Sequence, residues 1–191
     1  MTVVKRCVLY DACVFYPAPL RDLLIRLAGT GMFQAKWTNA IHEEWIRNLL
    51  QNRPDLSRQR LEQTRDSMNT YILDSLVTGY EELIPTLQLP DENDRHVLAA
   101  AIRGGSSVIV TYNLKDFPES ALSPYGIEAQ HPDSFILSLL QLDEEQVCET
   151  IRQQRLDLKN PPKTAQDVLD TFEALGLKRM VGYLRPFIEA L

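Results

Sequence analysis

The sequence predicts an α/β domain, three-layered with a mainly parallel central sheet, followed by a small α-helical extension at the C-terminus. Three observations carry this. Short β-branched runs alternate with helical periods over about residues 1–137, as in chains built from strand–helix–strand units. The run VIVT at 108–111 is continuously apolar, as in strands buried on both faces of a parallel sheet. After Leu140 no strand pattern remains. The division expected is residues 1–140 for the α/β domain and 141–191 for the extension.

Val3–Tyr10 reads as the first strand and ends at Asp11. Pro19 suits the first turn of a helix that carries Leu20, Leu23, Leu24 and Leu27, with Gly29 as its stop. Phe33–Thr38 reads as a second strand. Thr38 or Asn39 then caps a helix whose apolar face is Ile41, Trp45 and Leu49. From Leu56 to Val77, helix formers with Leu61, Met68, Ile72 and Leu76 at intervals predict a long, partly exposed helix, whose apolar residues are available to a partner. Asp91-Glu92-Asn93-Asp94 opens a helix through Val97, Leu98 and Ala101, and Gly104-Gly105 closes it. Val108–Tyr112 and Ile127–Gln130 are the remaining strands. In the extension, Asp143–Leu158, Thr164–Leu175 and Lys178–Ala190 read as helices, broken by Asn160-Pro161-Pro162 and turned at Gly176.

Composition narrows the function classes. With 191 residues, 45% hydrophobic and 24% charged, the chain has ordinary globular composition and enough apolar residues for a core. The three cysteines, Cys7, Cys13 and Cys148, form no CxxC pair, which argues against a zinc site and for a reducing compartment. No leader-like apolar run opens the chain and no stretch is long enough to span a bilayer, so a cytoplasmic protein with no membrane association is expected. A net charge of −6 runs against the basic surface usual in nucleic-acid proteins. An acidic metal pocket would inflate the negative count, and bound divalent cations would offset it.

Ligands of open parallel sheets bind beyond the carboxyl ends of the strands. Near that edge the pattern places Asp11 after the first strand, Glu44 one turn into the helix after the second, and Asp94 where the helix before Val108 begins. Asn113 and Asp116 follow the strand at 108–112. Carboxylates that converge raise one another's pKa unless a cation neutralises them, and hard oxygen donors select Mg²⁺ or Mn²⁺. Such a site hydrolyses phosphodiesters without a Ser, Cys or His nucleophile. No GxSxG, HExxH or P-loop is present. Plainer roles stand beside each residue: Asp11 and Asp116 as turn formers, Asp94 as a helix cap, Glu44 as surface charge. His96 reads as a helix-surface residue, and Trp37 and Trp45 read as core.

Four blocks in this order and spacing resemble the PIN-domain ribonucleases. LYDACVF (9–15) is similar to the family's opening strand, and WTNAIHEEW (37–45) to its second block, where a Thr six residues ahead selects Glu44 over Glu43. LPDENDRHVLAAA (89–101) resembles the third block and VIVTYNLKDFP (108–118) the fourth. The match is closest to the VapC-like toxins with a helical C-terminal extension, which the tail PPKTAQDVLDTFEALGLKRMVGYLRP also resembles. The resemblance implies an endoribonuclease of RNA, single-stranded or structured such as tRNA, using Mg²⁺ or Mn²⁺. It also implies a toxin neutralised by a cognate antitoxin that carries a DNA-binding domain, and a homodimer. It carries over Asp11, Glu44 and Asp94 as metal-binding acids. Asn113 stands where many relatives have Asp, so Asn113 and Asp116 both remain candidates for the fourth position. Thr111, Arg95 and Lys115 are the candidate substrate contacts. The rivals are a metal-dependent phosphatase-like or receiver-like α/β protein, and a PIN-type module that binds RNA or protein without catalysis. Cleavage of small phosphoesters alone favours the first; RNA affinity without cleavage in Mn²⁺ favours the second.

Overall fold

In the computed structural model, which describes residues 5–191, the apolar run Cys7–Tyr10 forms strand β1. Gln34–Lys36 forms β2, Val108–Val110 β3 and Glu128–Gln130 β4. They make one four-stranded sheet in the order β2-β1-β3-β4. Every pairing is parallel: Val8 lies opposite Ala35 on one side and Val108 on the other, and Val108 opposite Glu128. The chain thus moves outward from β1 to β2, then returns to the other side of β1 for β3 and β4. The strand order reverses between β1 and β3, which opens a crevice beyond their carboxyl ends. The two central strands are fully buried from Val8 to Tyr10 and from Val108 to Val110, as their continuous apolar runs require.

The strands are shorter than the pattern predicts. Val3 and Val4 lie outside the described residues, and Lys5 and Arg6 precede β1 as irregular chain. Trp37, beyond β2, makes only an isolated parallel bridge to Leu76. A short helix that no periodicity could announce, α1 (Ala12–Phe15), follows β1 directly, with Asp11 as its N-cap. The helix through Leu20–Leu27 is α2 (Ala18–Gly29). Helix α3 (Asn39–Asn52) starts at Thr38, whose hydroxyl accepts the Ile41 N–H at 3.0 Å.

Helix α4 spans Arg58–Tyr71 and so ends short of the predicted Val77. Leu61, Met68 and Ile72 are buried within the chain, which corrects the expectation that this stripe is available to a partner. The exposed apolar residues lie at and past the helix end, Tyr71, Leu73 and Leu76. A 3₁₀ turn, Glu92–Asp94, leads into α5 (Arg95–Arg103), which Gly104 closes. Gly105 adopts φ +64°, the left-handed region glycine enters without steric cost, and so reverses the chain into β3. After the 3₁₀ turn Leu114–Asp116 comes α6 (Glu119–Leu122).

The chain divides into two compact units. One comprises the chain up to Tyr16 together with Phe33–His131; the other comprises Pro17–Met32 and Pro132–Leu191. The core of the first is the sheet with an aromatic cluster in which Tyr10 stacks on Trp37 (6.4 Å between centroids) and Phe15 meets Trp37 edge-on. Both tryptophans are fully buried core residues. The second unit is helical: α2 joins α7 (Pro132–Leu142), α8 (Glu144–Asp157), α9 (Ala165–Ala174) and α10 (Lys178–Leu184), and a 3₁₀ segment, Arg185–Ala190, follows. Helix α9 begins with a capping box in which Thr164 and Asp167 bond each other's backbone. The buried Asp133 carboxylate accepts the N–H groups of Arg179 (3.0 Å) and Met180 (2.8 Å), capping α10 from α7. Among the described residues no helix is long and apolar enough to cross a membrane.

Candidate metal centre

The crevice between β1 and β3 is lined first by Asp11, which continues β1 by donating its N–H to the Val110 carbonyl at 3.1 Å. Its side chain is 3% exposed and is held from three sides. Oδ1 accepts the Ala12 N–H (2.6 Å), and Oδ2 accepts the Thr111 hydroxyl (2.7 Å) and the Cys13 thiol (3.2 Å). Burial pushes its pKa up and the nearby Glu44 adds to this, while the three donors pull it down. Thr111, fully buried after β3, also accepts the Asn113 N–H at 3.0 Å, so one hydroxyl ties the ends of both strands together.

Asp94 sits at the start of α5, yet its side chain makes no capping hydrogen bond. The cap of the preceding turn is Asp91, which accepts the Asn93 N–H at 2.9 Å. Asp94 instead shares space with other acids. Its pKa is pushed up to about 7, first by partial burial and then by the charges of Asp11, Asp91, Asp116 and Glu44. Four of these acids belong to four different chain segments, and only the crevice brings them into mutual electrostatic range. Glu44 lies 3.4 Å from His96 Nε2, whereas its neighbour Glu43 pairs with Arg58 at 2.8 Å. Asp116 ends the 3₁₀ turn after Asn113 and is half-buried, while Asn113 and Lys115 are exposed. Arg95 is committed locally, bonding the Glu92 carboxylate (3.0 Å) and the Glu92 carbonyl (3.1 Å).

Among the described residues, no three His, Cys, Asp or Glu side chains already stand in the cage geometry of a bound ion. Uncompensated carboxylates repel one another, so an acid set of this kind closes around a cation only as the cation neutralises it. The donor set suits a hard divalent cation: all oxygen, negative, and without a salt-bridging Lys or Arg on Asp11, Asp94 or Asp116 among the described residues.

Three neighbours escaped the pattern. Cys13 donates to Asp11, and burial with the adjacent carboxylate pushes its thiol pKa up, so it stays protonated and is no nucleophile. Asp91 adds charge beside Asp94. His96, expected on a helix surface, has a side chain only 19% exposed and lies against Glu44. All three stand within three residues of a candidate acid, a proximity that spacing alone does not distinguish from a turn or a helix surface.

The family profile of the PIN domain matches residues 7–115, which include β1, β3, Asp11, Glu44, Asp94 and Asn113. The chain belongs to the PIN-domain family. A second profile, the VapC50 C-terminal domain, matches residues 132–186, where α7 to α10 lie. The PIN region therefore carries the acidic crevice, and the VapC50-type segment the helices that follow β4. A curated protein of Mycobacterium tuberculosis, named "Putative ribonuclease VapC50", is 47% identical to this chain over 98 residues. That match covers 51% of this chain and 56% of the relative, so it spans about half the length of each. No solved structure matches the chain.

Proposed function

We propose that this PIN-domain chain is a Mg²⁺- or Mn²⁺-dependent endoribonuclease that hydrolyses RNA phosphodiester bonds with water, acting as a VapC-like toxin held in check by a DNA-binding antitoxin in the cytoplasm. The observation that supports it most directly is Asp94, whose pKa is pushed up to about 7 by partial burial and by the charges of Asp11, Asp91, Asp116 and Glu44 around it. In this proposal Asp11, Glu44, Asp94 and Asp116 hold the cation, which when bound lowers the pKa of water and offsets phosphate charge. Asp116 is preferred to Asn113 for the fourth position. It adds to the field at Asp94, whereas an amide offers one neutral carbonyl and cannot offset a dication.

The chain's own residues supply the rest. Thr111 and Cys13 fix the Asp11 carboxylate, leaving no rotamer freedom to be lost when RNA binds. Exposed Lys115, and Arg95 if it leaves Glu92, can meet phosphate oxygens. Burial of Asp11 and half-burial of Asp94 limit water around the acids and so strengthen their hold on a cation. The name of the Mycobacterium tuberculosis relative and the VapC50-type C-terminal segment agree with this role. A homodimer is part of the same proposal.

The test is total RNA incubated with purified protein in Mg²⁺, Mn²⁺ or EDTA, followed by mapping of the new ends. Discrete cleavage with either metal, abolished by EDTA, is expected. The same cleavage pattern in EDTA would sink the metal mechanism, and RNA binding without cleavage in Mn²⁺ would make the chain a non-catalytic module.

A further inference from the structure

We infer that His96 is a positioning residue that aims Glu44 into the acidic crevice; this rests on the metal-centre reading above. Glu44 projects from α3 on three rotatable bonds, and its carboxylate faces the like charges of Asp11 and Asp94. Left to itself it would gain both entropy and electrostatic relief by swinging into solvent. The group opposing this is the imidazole of His96, in the first turn of α5 two residues after Asp94, with Nε2 3.4 Å from Glu44 Oε2. A ring N–H there can donate to the carboxylate in either charge state of the ring.

The packing of His96 supports a specific role. Its Nδ1 is buried with no hydrogen-bond partner among the described residues. A buried polar atom without a partner costs stability, and an apolar residue at this position would avoid that cost. An imidazole at this position is accounted for by its approach to Glu44, a side chain of the candidate centre. That contact also links α3 to α5 at the point where each delivers its acid, as donors outside a metal site commonly orient its ligands.

The test is Mn²⁺ titrated calorimetrically into the full-length protein as wild type, His96→Leu and His96→Gln, each also in a Glu44→Gln background, with thermal melts alongside. His96→Leu should weaken Mn²⁺ binding about tenfold, the lower end for lost orienting contacts. His96→Gln, whose amide can still donate, should keep most of the affinity. In the Glu44→Gln background His96→Leu should cause no further loss. Should His96→Leu not fold, His96→Asn, polar but too short to reach, takes its place. Unchanged affinity in His96→Leu, or an equal loss in both backgrounds, overturns the role. Failure of the wild type to bind Mn²⁺ at all overturns the metal-centre reading, and this inference with it.

Discussion

Asp94 and His42 illustrate opposite consequences of burying a titratable side chain in this molecule. Asp94 has a folded-state pKa of about 7, above its unfolded value. It therefore binds more protons folded than unfolded between about pH 4 and 7, and it costs the metal-free protein stability as pH rises through that window. Asp94→Asn should stabilise the protein in EDTA at pH 8 by on the order of 1 kcal/mol, once the shift is discounted for solvent screening, while abolishing Mn²⁺ binding. Urea melts and a metal titration on one preparation check both; a loss of stability would make Asp94 structural. His42 is shifted the other way, down to about 4, chiefly by burial. Its Nδ1 accepts the Trp45 indole N–H at 3.0 Å, so Nε2 carries the proton toward Asn69 Oδ1, also 3.0 Å away. Asn69 Oδ1 accepts from Trp37 as well, at 2.8 Å. A second ring proton would face the Trp45 donor. Its depressed pKa contributes stability present above about pH 6.5 and lost as pH falls toward 4, by at most about 3 kcal/mol. His42→Gln should flatten this acid limb of the stability profile, and an unaltered limb would contradict the assignment.

The elements explain which parts of this fold a sequence can declare. A parallel sheet was implied by the strand–helix alternation and by the unbroken apolar run of β3, because only strands covered on both faces dispense with alternation. Two helix ends with local signals, the start of α3 at Thr38 and the end of α5 at Gly104, were read nearly to the residue. Four-residue α1 has no period to read, and α4 ends at Tyr71 because Ile72 already leaves helical geometry (φ −107°, ψ 94°), a break that the apolar spacing running on to Leu76 does not advertise. At the crevice, the types and order of the acids were legible, whereas the capping by Asp91 in place of Asp94 and the contact of His96 with Glu44 depend on three-dimensional approach. Gly105, at φ +64° with open space around a Cβ, gives a clean element-scale test. Gly105→Ala should cost about 1 kcal/mol through backbone strain alone, measured by thermal melts, and leave Mn²⁺ affinity unchanged. A large loss of metal affinity would mean that the turn shapes the crevice.

At the scale of the whole molecule, the acids come from four segments of one unit, at the point where strand order reverses between β1 and β3. Under the proposed function, that topology reconciles a net charge of −6 with an RNA substrate: much of the charge near the crevice would be offset by cations when the site is loaded. The helical unit matches a VapC50-type segment and contributes none of the candidate acids. The central claim is that these carboxylates hold the cation that RNA hydrolysis requires. Its most direct test is cleavage of one defined RNA across a Mn²⁺ titration by wild type, Asp11→Asn, Asp94→Asn, Asp116→Ala and Asn113→Ala, each verified as folded. The expected result is near-complete loss in the first two variants, a large rise in the Mn²⁺ needed for half-maximal cleavage in Asp116→Ala, and a smaller rise in Asn113→Ala. Wild-type cleavage by Asp11→Asn or Asp94→Asn, at unchanged Mn²⁺ demand, would contradict the claim.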